Sequence, residues 1–222
     1  MNLPDLAPAG TRIRLGATGD GVARVTLARP GRRNAIDPSF ADELESVCAE
    51  LDRLQVRVAI LDAEGPAFCA GADLGDLAAS ARAVDRVLEI LGRAPVHWTA
   101  VVDGAVRGAG LALLSQCPRV IATPASTFGL PELSRGFFPS DMMPSQARAL
   151  GLRNAFALAF SALPLTAAEA HRQGLVSTVV DAHRLYPEAE AGAAQLASYR
   201  PDAVLDGIRL WQNSVRPDEK AT

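Results

Sequence analysis

Residues 99–114 read TAVVDGAVRGAGLALL, and they place a run of β-branched residues directly before a stretch of glycine, alanine and leucine. The first half is typical of a buried strand, and the second half is typical of a helix that begins near Gly108. Main-chain N–H groups at the start of a helix have no partner within it, and small side chains leave them open to a ligand. The stretch therefore predicts a strand-to-helix turn whose backbone N–H groups could bind a ligand, although close packing of the helix on the strand also favours glycine and alanine.

The same alternation of strand and helix extends along the chain. Further strands are predicted at 22–29, 56–63, 119–124 and 176–181. A first helix is predicted to begin after Asp37, with Asp37 as its N-cap and Pro38 at its first position. Later helices are predicted at roughly 74–92, 109–117, 153–162, 167–173, 183–198 and 202–213. This order favours one α/β domain with parallel strand pairing.

Bulk composition narrows the classes of function. The 222 residues include 49% hydrophobic and 21% charged residues, and the formal net charge is −3. This balance argues against a nucleic-acid or anionic-membrane partner. The three cysteines form no CxxC pair, so neither a disulfide framework nor a metal site is expected, and a cytoplasmic location fits best. The first residues lack the pattern of a signal peptide.

A second strand-to-helix turn lies in GPAFCAGADLGDL, residues 65–77. Gly71 would let a substrate approach the main chain, although an ordinary turn capped by Asp73 is an equally simple explanation of the pattern. The glycines at 104, 108 and 110 lack the spacing of a dinucleotide-binding motif, and no glycine-rich run precedes a Lys-Ser/Thr pair. Together, the two turns could supply two convergent N–H donors, which is the design of an oxyanion hole.

The third stretch, STFGLPELSRGFFPSDMMP at 126–144, holds the candidate acid. Glu132 lies among apolar residues, and burial of a carboxyl group raises its pKa towards values useful in proton transfer. Asp141 follows nine residues later. A helix-terminal charge and a turn residue are the simpler structural interpretations of these two acids.

These stretches, in this order, resemble the crotonase superfamily, the enoyl-CoA hydratase/isomerase family. The family segments AGAD-[LI], NG…GGG and FG-x-PE correspond to AGADL at 70–74, DGAVRGAG at 103–110 and FGLPE at 128–132. Two weaker matches are LARPGRRNAID at 27–37 and LTAAEAHRQGLVSTVVD at 165–181. The resemblance extends from roughly residue 11 to residue 200.

The resemblance implies a spiral of ββα turns, capped by C-terminal helices, that stabilises the enolate of a CoA thioester. By alignment, the amides of Ala72 and Ala109 would bind the thioester oxygen. Ala109 replaces the usual glycine, which is compatible because only its N–H is used. Coenzyme A would be part of the substrate, and no separate cofactor is expected.

This chain departs from the family pattern at one of the two acidic residues that hydratases of the family use. Hydratases of the family carry a glutamate on the helix after GGG, where this chain has Ala112, whereas the PE glutamate is present as Glu132. Family isomerases move a double bond with the PE glutamate alone, so isomerisation is favoured. A specialised hydratase, a decarboxylase and a non-catalytic accessory CoA-binding relative stay open.

Some relatives place a functional aspartate on the loop after the PE motif. The aligned slot here is Ser140, and Asp141 lies one residue away in a remodelled loop, which makes Asp141 a candidate catalytic residue. By this resemblance, CoA would be bound near LARPGRRNAID at 27–37 and near the helix start that follows AGADL at 70–74, the two places where the family binds the nucleotide. The residues expected there are Arg29, Arg32, Arg33, Ala70, Asp73 and Leu74.

Family members are commonly trimers or pairs of trimers, so a homo-oligomer is expected. Residues 1–200 are expected to form the spiral core, and 201–222 a short C-terminal helix and tail of the same domain. Because family members typically continue further, pocket closure and trimer contacts are expected to differ in this shortened C-terminal helical region.

Overall fold

Two β-sheets and eight helices make up residues 12–19 and 21–215, which are the residues that this computed structural model describes. The strands are β1 Ile13–Gly19, β2 Val22–Leu27, β3 Val58–Ala63, β4 Ala67–Cys69, β5 His97–Val102, β6 Ala105–Arg107, β7 Arg119–Ala122, β8 Thr127–Gly129, β9 Leu165–Thr166 and β10 Thr178–Val179. The helices are α1 Pro38–Arg53, α2 Leu77–Arg93, α3 Ala109–Leu114, α4 Met143–Leu150, α5 Leu152–Ser161, α6 Ala167–Arg172, α7 Ala182–Ala197 and α8 Pro201–Val215.

The larger sheet has the strand order β1-β2-β3-β5-β7-β10, and all its neighbouring strands are parallel except the β1–β2 pair. The smaller sheet has the order β4-β6-β8-β9, with β9 antiparallel to β8. Three successive units contain a strand of the larger sheet, a short strand of the smaller sheet and then a helix. They are β3-β4-α2, β5-β6-α3 and β7-β8-α4. This repetition confirms the predicted ββα spiral.

Helix α1 begins as its sequence predicts. The Asp37 carboxylate accepts a hydrogen bond from the Phe40 N–H at 2.9 Å, and Pro38 occupies the first turn, where a missing N–H costs nothing. Phe40, Leu44 and Leu51 are buried along one face, as the helical period requires. The N-cap and the buried apolar face therefore both agree with the helix predicted after Asp37.

Several elements differ from the predictions. The helix predicted from residue 74 begins with a 3-10 turn over Leu74–Asp76, and α2 itself starts at Leu77 with Asp76 as its cap. The strand predicted at 176–181 is reduced to β10, and helix α4 was not predicted. Strands β1, β4, β6, β8 and β9 were also not predicted, and all but β1 have only two or three residues. Such short strands hold too few residues for a detectable alternation.

The core lies on both faces of the larger sheet. One face packs against α1, α2 and α3 and includes the fully buried rings of Phe40, Phe68 and Trp98. The other face is covered by α7, whose Leu185 packs with Ile60. None of the helices in the described part of the chain is both long and apolar enough to cross a lipid bilayer. Of the C-terminal helix and tail predicted at 201–222, residues 216–222 lie outside the described residues, as do residues 1–11.

Asn34 holds the loop between β2 and α1 in place. Its side chain is fully buried, its amide group donates to the carbonyl oxygens of Glu64 and Ala67 at 2.9 and 2.8 Å, and its oxygen accepts from the Arg29 N–H at 2.8 Å. The loop thereby stays beside β4, where the 65–77 turn begins.

Replacing Asn34 with Ala is expected to lower the free energy of unfolding by about 2–4 kcal/mol, because three backbone groups, one buried and two partly buried, lose their partner. Asn154→Ala is the matched control, since exposed Asn154 donates only to Leu150 at 3.0 Å. Urea unfolding of both variants measures the difference, and an equal loss in the two would contradict the role assigned to Asn34.

Candidate active site

The turn that follows β4 carries the first candidate N–H donor. Gly71 adopts φ +92°, and its carbonyl accepts from the Ile36 N–H at 2.8 Å, while the Asp73 N–H donates to Ile36 at 2.8 Å. These two bonds use the groups on either side of Ala72. The Ala72 N–H itself donates to no acceptor among the described residues.

The turn between β6 and α3 carries the second donor. Gly108 adopts φ +53° and ψ −126°, a combination that glycine alone tolerates well, and its N–H donates to Gly129 at 3.0 Å. Ala109 is the first residue of α3, so its N–H has no acceptor within the helix. A Cβ atom added to Gly71 would lie 3.2 Å from the Ala109 nitrogen, which shows that the two turns touch.

Glu132 lies against the second turn. Its side chain is only 5% exposed, and its Oε2 has no hydrogen-bond partner among the described residues. Its Oε1 is so close to Gly108 that a Cβ atom there would lie 2.5 Å from it. Burial raises the pKa of the Glu132 carboxyl, an effect that the nearby Arg135 charge partly offsets. The raised pKa predicted from the apolar neighbours is therefore confirmed in direction.

One cavity of about 160 Å³ brings these groups together, since Ala72, Ala109 and Glu132 all line it. Its walls are largely apolar, and they carry four further polar side chains. The apolar residues include Leu77, Val84, Leu88, Phe138 and Met142, and the polar ones are Asp85, Arg135, Ser140 and Asp141. A larger cavity of about 340 Å³ lies beside Cys117 and Trp211 and contains none of the predicted site residues.

Ala112 faces the protein interior. It lies on α3, three residues after Ala109, is fully buried and does not line the 160 Å³ cavity. Cys69, beside the first turn, is also buried, and burial raises the pKa of its thiol to about 12, so the thiol stays protonated at neutral pH. No group of three or more metal-binding side chains occurs within residues 12–19 and 21–215.

The segments predicted to hold CoA adjoin the first turn. Ala70 and Leu74 line the cavity, and the Ala70 N–H donates to the Arg33 carbonyl at 3.0 Å. Asp73 accepts from Arg32 at 2.8 Å and from Arg29 at 3.1 Å. The Gly75 N–H and the Arg32 charge lower the pKa of the Asp73 carboxyl below its usual value.

Two of these arginines are thus already paired. Arg29 also bonds Asp37 at 2.8 Å and is half-buried, whereas Arg32 keeps an exposed side chain. Arg33 is exposed and forms no ion pair with any residue that the structure describes. The three arginines therefore differ in how readily they can turn to a phosphate.

Asp85, Arg135 and the apolar wall from α2 were not among the residues predicted from sequence. Asp85 lies on α2 between the buried residues Val84 and Val87, and its position alone does not indicate which neighbour it faces. Asp141, which was predicted, lines the same cavity, as does Ser140 at the aligned slot. No sequence signal distinguishes Asp85 from Glu89, the other acidic residue of α2.

Glu132→Gln is expected to raise the melting temperature near pH 7.5. The pKa of the Glu132 carboxyl is higher in the folded protein than in the unfolded chain. The free energy of unfolding therefore falls as pH rises from the unfolded pKa through the folded pKa, and it stays lower at still higher pH. The neutral amide avoids this cost. Thermal unfolding between pH 4 and pH 8 should show the variant's advantage at high pH and its disappearance at low pH. A constant difference across that range would contradict a buried, ionising Glu132.

Known proteins resemble this chain in both sequence and architecture. Residues 17–216 match the enoyl-CoA hydratase/isomerase family. The chain is 31% identical over 209 residues to the mitochondrial enoyl-CoA hydratase domain-containing protein 3 of Rattus norvegicus, covering 90% of this chain and 70% of the relative. It is 33% identical over 204 residues to a mevalonyl-coenzyme A hydratase of Aspergillus fumigatus, with 85% and 75% covered.

Solved structures agree with these matches. The human enoyl-CoA hydratase domain-containing protein 3 superposes with a TM-score of 0.85 at 28% identity, over 94% of this chain and 86% of that one. An enoyl-CoA hydratase of Mycobacterium smegmatis superposes with a TM-score of 0.86 at 27% identity, over 94% and 85%. The chain belongs to the enoyl-CoA hydratase/isomerase (crotonase) family.

Proposed function

We propose that this protein moves a carbon–carbon double bond in an enoyl-CoA thioester. The Ala72 and Ala109 amides donate to the thioester oxygen and stabilise the negative charge that develops there as an enolate forms. The observation that carries the proposal is the buried Glu132 carboxyl group, which lines the same cavity as Ala72 and Ala109 and whose Oε2 has no hydrogen-bond partner among the described residues. A base in that position can reach a proton next to the polarised carbonyl.

The proposed step conserves all atoms. Glu132 takes a proton from C2 of a 3-enoyl-CoA, and the electron pair of that C–H bond becomes part of a dienolate. Glu132 then returns the proton to C4, and the double bond lies between C2 and C3. One acid–base group is enough for this cycle, which suits a site whose α3 helix carries Ala112 where hydratases carry a glutamate.

Hydration is the second candidate function, and Asp141 is the observation that favours it. Asp141 lines the same cavity as Glu132, so it is available to position a water molecule in the absence of an acid at residue 112. Addition of water across the double bond would then yield a 3-hydroxyacyl-CoA, with Glu132 and Asp141 sharing the two proton transfers.

Product analysis separates these candidates. The purified protein is incubated with trans-3-enoyl-CoA and, separately, trans-2-enoyl-CoA of several chain lengths, and products are followed by chromatography and mass. We expect interconversion of the two isomers without a change in mass. A gain of one water would instead support hydration, with Asp141→Asn as the variant that should abolish it. Binding of both thioesters without turnover would indicate an accessory protein or a decarboxylase, and loss of carbon dioxide from a carboxylated acyl-CoA, added in a separate incubation, would indicate the decarboxylase.

For CoA itself, we propose that Arg32 and Arg33 contact the phosphates, because both side chains are exposed beside the first turn. Arg29 would hold Asp73 and Asp37 in position, and Ala70, Asp73 and Leu74 would form the adjoining surface. Arg33→Ala should weaken CoA binding in a calorimetric titration, whereas Arg93→Ala, on the far end of α2, should not.

We also propose a homo-oligomer, following the trimers of the family. Exposed apolar side chains on and near α5 support it, because Phe160 is 62% exposed and Leu163 is 69% exposed. The Phe156 and Phe160 rings also pack at a tilt against Phe138, at centroid distances of 6.2 and 5.1 Å. Light scattering of the purified chain tests the state. A reducing compartment such as the cytoplasm is proposed because Cys48, Cys69 and Cys117 are all unpaired and buried.

A further inference from the structure

A short pairing between two loops aims the Ala72 N–H. The Ile36 N–H donates to the Gly71 carbonyl and the Asp73 N–H donates to the Ile36 carbonyl, both at 2.8 Å, which makes a parallel bridge between Ile36 and Ala72. In such a bridge the two flanking residues carry the hydrogen bonds, so the N–H of the central residue, Ala72, points to the opposite side. A shift of this bridge would therefore turn the first proposed oxyanion donor.

One arginine cross-links the two loops immediately beside this bridge. Asp37 follows Ile36 and Asp73 follows Ala72, and Arg29 Nη1 donates to Oδ2 of both carboxylates, at 2.8 and 3.1 Å. The side chains of Arg29 and Asp73 are 24% and 9% exposed, so their contact is partly shielded from water and salt. The two ion pairs of Arg29 thus hold together the residues that adjoin the bridge.

A second arginine contacts Asp73 from the solvent side. Arg32 Nη2 donates to Oδ1 of Asp73 at 2.8 Å, and the same oxygen accepts from the Gly75 N–H at 3.0 Å. The Arg32 side chain is 56% exposed, against 24% for Arg29. A phosphate group can therefore draw Arg32 away while Arg29 stays bonded to Oδ2 and Gly75 stays bonded to Oδ1.

We propose that Arg29 is a positioning residue for the Ala72 N–H, acting through Asp73, and that Arg32 is the exchangeable partner of Asp73 that a CoA phosphate can take over. The proposal rests on the function proposed above, since it gives the Ala72 N–H a thioester oxygen to bind. Arg29 then keeps the donor aimed during the reaction, and Arg32 helps to hold the substrate. Loss of Arg29 should lower kcat, and loss of Arg32 should lower the affinity for CoA.

Methionine substitutions separate the two roles, because methionine keeps an unbranched side chain and removes the charge. Arg29→Met is expected to lower kcat for double-bond migration by about 10- to 100-fold, with at most about a twofold change in the dissociation constant of free CoA, since a displaced donor stabilises the enolate less. Arg32→Met is expected to weaken free CoA about fivefold or more and to leave kcat within about twofold. Steady-state kinetics and calorimetry measure the two quantities.

Arg57→Met is the matched control. The Arg57 side chain is 13% exposed and pairs with Asp52 at 2.8 Å, before β3, so the variant removes a shielded arginine from a different ion pair. Neither kcat nor the dissociation constant of free CoA should change by more than about twofold.

The carbonyl stretch of a bound thioester reports the donors directly and needs no turnover. Hydrogen bonds from the two amides to the thioester oxygen lower the stretching frequency of that carbonyl. Hexanoyl-CoA labelled with ¹³C at the carbonyl carbon is bound at saturation and followed by difference infrared spectroscopy. We expect the wild type to shift the band below its frequency in water, and Arg29→Met to keep about half of that shift or less, since one of two donors is displaced. Arg32→Met should keep all of it.

Asp73→Asn tests the same positioning role where Arg29→Met has a melting temperature too low for use. An asparagine oxygen still accepts from the Gly75 N–H, but its N–H₂ group then faces Arg29 and repels it. This variant should therefore also keep about half of the carbonyl shift or less.

Several results would overturn the positioning role. A wild-type carbonyl shift in both Arg29→Met and Asp73→Asn would show that the Ala72 N–H is aimed without Arg29, and the proposed function would still stand. Weaker binding of free CoA with unchanged kcat in Arg29→Met would make Arg29 a direct CoA contact. Equal losses in Arg57→Met would indicate a general effect of removing a shielded charge. A wild-type complex without any carbonyl shift would contradict the oxyanion hole, and with it the proposed function itself.

Discussion

Glu132→Gln is expected to lower kcat for double-bond migration by about 10²- to 10⁴-fold, because the amide cannot accept the C2 proton. The substitution keeps the size and shape of a side chain that is 5% exposed and leaves the Ala72 and Ala109 amides in place. The thioester oxygen therefore keeps its two donors, and the dissociation constant of a saturated acyl-CoA should change by no more than a fewfold factor. Steady-state kinetics and calorimetry together measure the two quantities.

The matched control is Glu190→Gln. Glu190 is an exposed acid on α7 that pairs with Arg24, away from the cavity, so its loss should leave kcat near the wild-type value. A Glu132→Gln enzyme with wild-type kcat would exclude Glu132 as the base. Equal losses in binding and in turnover would instead indicate that the substitution disturbs the cavity, because a group acting only in proton transfer affects the rate.

The pH dependence of the same reaction provides an independent check on this role. As a base, Glu132 must be ionised, and its pKa is raised by burial. Activity should therefore fall on the acidic side at a higher pH than it would with an ordinary glutamate. The stability effect has the opposite direction, because the ionised carboxylate is the form that the buried site disfavours.

Gly108→Ala is expected to lower kcat/KM by about 100-fold and to destabilise the protein by about 1–3 kcal/mol. The backbone at Gly108 has φ +53° and ψ −126°, which an alanine adopts only with strain. The new Cβ would also lie 2.5 Å from Glu132 Oε1, so the carboxylate or the turn must move. Either movement separates the proposed base from the Ala109 amide.

Gly151→Ala separates strain from steric contact. Gly151 also has a positive φ, +77° with ψ 150°, but a Cβ atom there meets nothing within 4 Å. It should therefore lower stability without a comparable loss of kcat/KM. Denaturant unfolding and kinetics of both variants make the comparison, and a Gly108→Ala enzyme that kept wild-type kcat/KM would show that the contact with Glu132 is unimportant for catalysis.

Local features were predictable because short-range geometry determines them. The Asp37 cap and Pro38 define the start of α1 within four residues, and Gly71 and Gly108 indicate turns at which the main chain is accessible. The Glu132 carboxyl was expected to have a raised pKa because its sequence neighbours are apolar, and burial in the folded protein does raise that pKa. Strands of two or three residues were not predictable, since their pairing with distant strands defines them.

The sequence by itself determined the order of strands and helices, the two glycine turns and the presence of one acid in the PE segment. Only the tertiary structure brought Ala72, Ala109 and Glu132 to one cavity, paired Arg29 and Arg32 with Asp73, and placed Asp85 and Asp141 in the lining of that cavity. The physical reason is that φ and ψ preferences act within a few residues, whereas cavity walls depend on how distant elements pack. Helix α2 packs on α1 and α3 with its apolar face, and that packing directs Asp85 to the cavity.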